Sequence, residues 1–511
     1  MENEKRITEP FEDNSRKRSM LKIALFILVP IIALLILGEI FVRILGLGSP
    51  ELDPTVYSNV PGDLTPRQDI VHRHPQTGVE YHIRINKYGF RGEGVPDDDR
   101  PGCVVCLGDS SMMGYGVDEG HTAPDYIRRW LDLDFPGVFS VINAASIGYT
   151  IDDELSYMKE KGASLDPDFV LLEIFYNDVT EKQWREQTGA GLQREFRRSG
   201  MTYTRGRSLL LRSALYQFFR SSMIKIMIRM GKFFPPNRTD AMDVVMHPSK
   251  HKQAWRDYDE ALMEFIDFVR ESGASPIVSI TPHQYQVHEW GYPFGDYFGE
   301  RDFQDHVLEV LEEKDVPAVD LMPPYLEAMK HIPSVYKTGG LYDEHTDAAG
   351  QYIKAREMYD ALAESLKKKG YLNFYNELSD AEIRGAVRKG RLWIPENDAP
   401  CLAMEPGSSV LYRNVKTGED PVLRFKPVYS SESGPELRLR ISLVYENQQI
   451  TIHEESLNPG QDKAGEMREV SLKDYPSSKM ALKWELSAKG ESKKDYEPEL
   501  FVKSPLLIDR R

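Results

Sequence analysis

The apolar run Cys103-Val104-Val105-Cys106-Leu107 is followed at once by Gly108-Asp109-Ser110-Ser111. A short strand that breaks at glycine and hands a serine to the start of a helix exposes a hydroxyl nucleophile at the carboxyl edge of a parallel sheet. The tripeptide alone reads as a plain helix cap. A serine nucleophile also needs a base, an acid that orients the base, and donors for an oxyanion, so the other strand ends decide what Ser110 does. In Asn143-Ala144-Ala145-Ser146-Ile147-Gly148-Tyr149-Thr150, Gly148 lets the backbone turn its N–H inward, and Thr150 with Asp153 forms a capping box on the next helix. In Phe175-Tyr176-Asn177-Asp178 the Asn177 amide is a neutral donor suited to a developing alkoxide, although the same pair also makes an ordinary Asx turn. In Tyr342-Asp343-Glu344-His345-Thr346-Asp347, Asp343 can fold back to hold Nδ1–H of His345, leaving Nε2 toward the nucleophile. Glu344 and Asp347 are the other carboxylates at hand. The chemistry these residues could perform together is acyl transfer through a serine.

The elements that must position them are legible as alternating patterns between residues 101 and 370. Runs at Cys103 to Leu107, Phe139 to Ile142, Phe169 to Ile174, Ile277 to Ile280 and Val316 to Val319 largely lack a polar face, as strands covered on both sides do. Between them lie helical stripes: Tyr126, Ile127, Trp130 and Leu131; then Trp255 through Val269; then Ala348 through Leu366, with Lys367 to Lys369 before Gly370. Alternation of this kind predicts an α/β fold, a parallel sheet with helices on both faces.

The rest of the chain divides around this domain. A basic tail at 1–20 precedes a segment at 21–47 with no charge from Ile23 to Gly38. Its apolar stretch of about 25 residues is long enough for a hydrocarbon core of ~30 Å. Arg16, Lys17, Arg18 and Lys22 precede it, while acidic residues dominate after it, which predicts a transmembrane helix with the N-terminus cytoplasmic and the remainder periplasmic or extracellular. A cleaved signal peptide fits less well, since the stretch is long and no A-x-A-like site follows. Residues 48–100 read as a linker leading into the first domain. Residues 181–250 interrupt the α/β rhythm with a basic, amphipathic insertion centred on Arg205 to Lys232, which reads as a helical lid or a surface for lipid headgroups. Residues 371–395 read as a second linker. From 396 to 511 the pattern becomes period two, as in Leu437, Leu439, Ile441, Leu443 and again in Leu482, Trp484, Leu486, predicting an antiparallel β-sandwich-like accessory domain.

A formal net charge of −16 over 511 residues, with no basic folded domain, argues against a nucleic-acid partner. The chain's three cysteines are too few for a disulfide framework, and Cys103 and Cys106 lie on opposite faces of one strand. They read as core residues rather than a redox pair. No phosphate-binding loop or zinc-ligand spacing occurs, so no metal or organic cofactor is expected.

With its G-D-S block, loop glycine after the second strand, N-D after the third and D-x-H before the last helix, the chain resembles the SGNH or GDSL hydrolases over roughly residues 80 to 370. The Asn86 to Gly92 turn, with Gly38, Glu39 and Arg43 at the end of the apolar segment, resembles membrane-anchored members. The resemblance implies a flavodoxin-like sheet, Ser110 as nucleophile, His345 as general base and Asp343 as orienting acid. It also implies an oxyanion hole of the Ser110 and Gly148 N–H groups with the Asn177 amide. Many members place the acid three residues before the histidine, where this chain has Tyr342, so Asp343 follows a shorter spacing. The expected activity is hydrolysis of acyl, chiefly acetyl, esters of carbohydrate outside the cytoplasm. Alternatives are acyl transfer to a sugar hydroxyl, a lipid esterase, and a non-catalytic anchored scaffold.

Overall fold

A computed structural model describes residues 12–44, 60–73, 80–96, 100–180, 215, 219, 238–288, 297–336, 345–374, 376–384, 387–394, 397–417, 420–429, 435–445, 448–459, 466–475, 480–489 and 500–509. The chain divides into two compact units, residues 1–53 with 189–238, and residues 54–188 with 239–511.

In the first unit, helix α1 (Glu12–Ile44) contains an apolar stretch, Phe26–Ile44, long enough to cross a membrane. Its apolar side chains are largely exposed, as suits a lipid-facing helix rather than a core one. Glu39 sits one turn before Arg43 and pairs with it at 2.7 Å, and its other carboxyl oxygen accepts from the Leu215 N–H at 3.0 Å. Apart from Leu215 and Phe219, the basic stretch Arg205 to Lys232 lies outside the described residues.

The second unit opens with an antiparallel pair, β1 (Gln68–Arg73) and β2 (Glu80–Ile85). The α/β core then runs β3 (Gly102–Leu107), α2 (Ser110–Met113), α3 (Ala123–Asp134), β4 (Phe139–Asn143), α4 (Ile151–Glu160) and β5 (Phe169–Ile174). It continues through α5 (Lys252–Glu271), β6 (Ser275–Ile280), α6 (Asp302–Glu313), β7 (Ala318–Asp320) and α7 (Ala348–Lys368). The five strands β3 to β7 form one parallel sheet in the order β4-β3-β5-β6-β7. Every residue of β4 and β5 is buried, because helices cover both faces: α3 and α7 pack together on one, α4 and α5 on the other. Leu155, Trp255, Leu262, Phe265 and Val307 share one apolar core with Val105, Leu172 and Ile280 of the strands.

The chain leaves β3 for β4 on one side and returns to β5 on the other, so the strand order reverses between β3 and β5. The carboxyl ends of those strands flank the crevice where open α/β sheets place their ligands. The fifth strand starts later than the apolar run at Val316 to Val319 predicts. Asp315 takes a left-handed φ of 50° and the Val316 N–H closes onto Leu311 O at 3.0 Å, so Val316 ends the helix instead of opening the strand. Cys106 is buried and Cys103 half-buried, both as free thiols.

After α7 the architecture is antiparallel. One sheet runs β10-β11-β18-β13-β16 with β8 (Leu372–Asn373) beside β18, and a second runs β15-β14-β17-β12-β9. Their strands are β9 (Glu382–Arg384), β10 (Val387–Ile394), β11 (Asn397–Met404), β12 (Ser409–Val415), β13 (Pro421–Tyr429), β14 (Glu436–Tyr445), β15 (Gln448–Leu457), β16 (Arg468–Ser471), β17 (Met480–Lys489) and β18 (Leu500–Asp509). Leu423, Phe425 and Val502 from the first sheet and Leu439, Leu482 and Trp484 from the second meet in one core. Alternate positions of β14 and β17 supply that core, as period-two patterning requires. Residues 371–395, expected as a linker, hold β8, β9 and β10. Their sequences are short or basic and carry no period-two apolar signal, and they join the sheets through backbone pairing, as in Leu506 with Asn373 and Val387 with Met404.

Candidate active site

Ser110 is the first residue of α2, at the carboxyl end of β3. Gly108 makes the approach possible: a Cβ there would stand 2.6 Å from Met112 Cβ and 3.2 Å from Glu173 Cβ. Asp109 caps α2, its Oδ1 accepting from the Ser111 N–H at 2.7 Å, while its Oδ2 accepts from Asn177 Nδ2 at 2.8 Å. One carboxylate therefore ties the end of β3 to the end of β5 across the reversal in strand order. Burial pushes the Asp109 carboxyl up to about 6, with the negative charge of Glu173 adding to it and the Ser111 N–H opposing. Gly148 lies in the turn after β4 with φ 66°. That turn is held against β3 by the Ser146 N–H, which donates to Gly108 O at 3.1 Å. The Thr150–Asp153 cap forms, with Asp153 Oδ2 accepting from Thr150 Oγ1 at 2.9 Å and Thr150 N at 3.1 Å.

His345 reaches the serine from the loop before α7, with Nε2 2.7 Å from Ser110 Oγ. That separation is within hydrogen-bond reach, the geometry a general base needs. The loop is fixed on both sides of the histidine. Tyr336 and Thr346 form an antiparallel bridge, and the Asp347 N–H donates to Val335 O at 2.9 Å. Gly350 lets α7 start there, since a Cβ would stand 2.5 Å from Val335 O. Asp347 caps α7, with Oδ1 accepting from the N–H groups of Ala349 and Gly350 at 2.9 and 3.0 Å. Asp343 lies outside the described residues. The ring of Tyr115 packs on the imidazole at 4.9 Å between centroids. Tyr176, next to Asn177, and Tyr285 are half-buried and pack against His283 at 4.6 and 4.4 Å between ring centroids.

Three buried features under the site carry polar contacts that the sequence motifs do not reveal, although one of them, Arg91, lies in the Asn86 to Gly92 turn. Glu173 of β5 and Lys354 of α7 form a fully buried ion pair. Glu173 Oε1 also accepts from Ser111 Oγ at 2.9 Å and Thr281 Oγ1 at 2.5 Å, and Lys354 Nζ donates to Ser111 Oγ at 2.8 Å. Arg91, also buried, donates to the carbonyls of Met113, Gly114 and Val117 and so pins the loop that carries Tyr115. Gln351 joins the two loops that hold Ser110 and His345. A lone Glu in an apolar strand and a Lys on the apolar side of a helix were the available signals for the ion pair. Among the described residues no group of three or more His, Cys, Asp or Glu side chains forms a metal site.

No family model and no curated protein matches the sequence. Among solved structures, the chain is similar to a two-domain esterase active on acetylated mannans, co-crystallised with mannopentaose. The identity is 13%, covering 80% of this chain and 90% of that one, at a TM-score of 0.29. It is also similar to a catalytic mutant of an acetylxylan esterase from Geobacillus stearothermophilus, at 16% identity over 52% of this chain and 94% of that one, with a TM-score of 0.31. Scores this low leave the reading of the site to this chain's own residues.

Proposed function

We propose that the chain is a membrane-anchored serine ester hydrolase that removes acyl groups, chiefly acetyl, from carbohydrate on the non-cytoplasmic side of the membrane. The observation that carries this reading is the 2.7 Å approach of His345 Nε2 to Ser110 Oγ at the point where the strand order of the parallel sheet reverses. His345 takes the hydroxyl proton as Ser110 Oγ bonds to the ester carbonyl carbon, and the carbonyl electron pair moves onto oxygen. The backbone N–H groups of Ser110 and Gly148 and the second amide hydrogen of Asn177 receive that oxyanion. Collapse expels the alkoxide, which takes the proton back from His345, and water repeats the sequence on the acyl-serine. Asp343 orients His345 in this scheme. The half-buried Tyr115 ring beside His345 offers an apolar face with a polar edge, the kind of surface that a sugar ring's C–H face and hydroxyls require. The apolar helix near the N-terminus, preceded by lysine and arginine, supports an outward-facing catalytic domain.

The test uses the full chain in detergent micelles with an acetylated oligosaccharide. The expected result is acetate release that is lost in Ser110→Ala and His345→Ala and falls in Asp343→Asn. Acetyl recovered on an added acceptor sugar instead of in solution would make the enzyme an acyltransferase. Folded protein that neither releases nor transfers acetyl overturns the proposal.

A further inference from the structure

We infer that Gln351 is the positioning residue that sets the distance between Ser110 and His345. Its side chain is buried on the first turn of α7. Nε2 donates one hydrogen to Ser111 O at 2.8 Å and the other to Thr346 Oγ1 at 2.8 Å. Oε1 accepts from the Ala123 N–H at 2.9 Å, at the start of α3. One primary amide thus makes a bond from each of its hydrogens and from its oxygen, in a place where water does not compete.

The two acceptors of Nε2 are chain neighbours of the reacting pair. Ser111 follows Ser110, and Thr346 follows His345. Both bonds start from a single planar nitrogen, so the separation of the two loops is set by the amide geometry rather than by two independent side chains. The third bond fixes the amide plane against α3, which does not belong to either loop. No other described side chain bonds to both of those neighbours. Lys354 and Glu173 reach Ser111 from below through its hydroxyl, but not the His345 loop. Misplacing reacting groups by about 1 Å costs on the order of 10²-fold in rate, so loosening this clamp acts on the proton transfer.

The functional consequence rests on the proposed hydrolase reading, whereas the positional claim does not, and two readouts on the full chain separate them. The first is the reaction of Ser110 with a fluorophosphonate probe, resolved into maximal labelling rate and probe affinity. Gln351→Met keeps length and volume but removes all three bonds. Its maximal rate is expected to fall at least about 10-fold with probe affinity essentially unchanged. Thr346→Val removes only one acceptor and is expected to give a smaller fall, which keeps the test decisive if Gln351→Met does not fold. The second readout is the ¹⁵N resonance of the His345 ring, assigned by its loss in His345→Gln. In Gln351→Met it is expected to move toward its position in Ser110→Ala, where the hydroxyl partner is gone. If the wild-type serine does not react with the probe, the hydrolase reading fails and the resonance alone decides the positional claim. Wild-type labelling in both variants, or a His345 resonance that does not move, overturns the role of Gln351.

Discussion

Breaking the buried Lys354–Glu173 pair tests how the sheet supports the nucleophile. Neither side chain is exposed. Glu173 Oε1 accepts from Lys354, Ser111 and Thr281, while Oε2 has no partner among the described residues. Lys354→Met leaves a buried carboxylate with two hydroxyl donors and no counter-charge, and Glu173→Leu leaves a buried ammonium with one hydroxyl. Removing one partner of a buried pair typically costs ~3–5 kcal/mol, whereas replacing both with apolar groups of similar volume is often neutral or stabilising. Each single variant is therefore expected to lose about 4 kcal/mol, and the double variant at least ~3 kcal/mol less than the sum of the two. At ~2–4 °C per kcal/mol for a domain of this size, each single variant melts roughly 8–16 °C lower. The assay is thermal and urea unfolding of the four proteins of the cycle in the same detergent. Single variants that lose under ~1 kcal/mol, or a double variant equal to the sum, would show that uncompensated buried charge is not what the fold avoids here.

Asn177→Ala removes one proposed oxyanion donor and is expected to lower kcat/KM for an acetyl ester by ~10²-fold or more; turnover near wild type would take Asn177 out of the site. Burial, and then the charge of Glu173, hold the Asp109 carboxyl up at about 6, above its unfolded value of ~3.9. The folded state therefore binds this proton more tightly, so the group's contribution to stability is full below pH ~4, declines as pH rises through about 6, and is flat above. The two-unit difference corresponds to about 3 kcal/mol, and Asp109→Asn should flatten that part of the unfolding profile; an unchanged slope would assign it to other groups. Glu154 is buried with neither carboxyl oxygen hydrogen-bonded among the described residues, and burial followed by the charge of Asp178 holds it well above the usual carboxylate range. Glu154→Met, which removes that unsatisfied polar group at similar volume, should match or exceed wild-type stability at neutral pH, and a loss above ~1 kcal/mol would show that the carboxyl has a partner there.

The parallel strands were readable because a strand buried on both faces has almost no polar residues, and β4 and β5 are buried along their whole length. The placement of Gly108 and Asn177 at strand ends, and of His345 just before a helix, is legible because such positions restrict which residues fit. The support beneath them was not. Glu173 sits inside an apolar run, and its partner Lys354 is 181 residues away; Gln351 meets Ser111 across 240 residues. Local periodicity reports which face of an element is buried, but not which polar groups meet inside after the elements pack. Arg91 belongs to the same class, its carbonyl partners lying 22 to 26 residues on in a loop without a pattern. The strands at Leu372 to Ile394 were missed for a different reason. β8 and β9 are held by backbone pairing with the more distant β18 and β12, and β10 by pairing with the next strand, β11, which short or basic sequences do not advertise.

Whether Ser110 is the nucleophile is tested most directly by exposing the full chain to a fluorophosphonate and mapping the modified residue by mass spectrometry. A single adduct is expected on Ser110, absent from Ser110→Ala and formed at least about 10²-fold more slowly in His345→Ala. Folded protein that stays unmodified, or an adduct on another residue, would contradict Ser110 as the nucleophile.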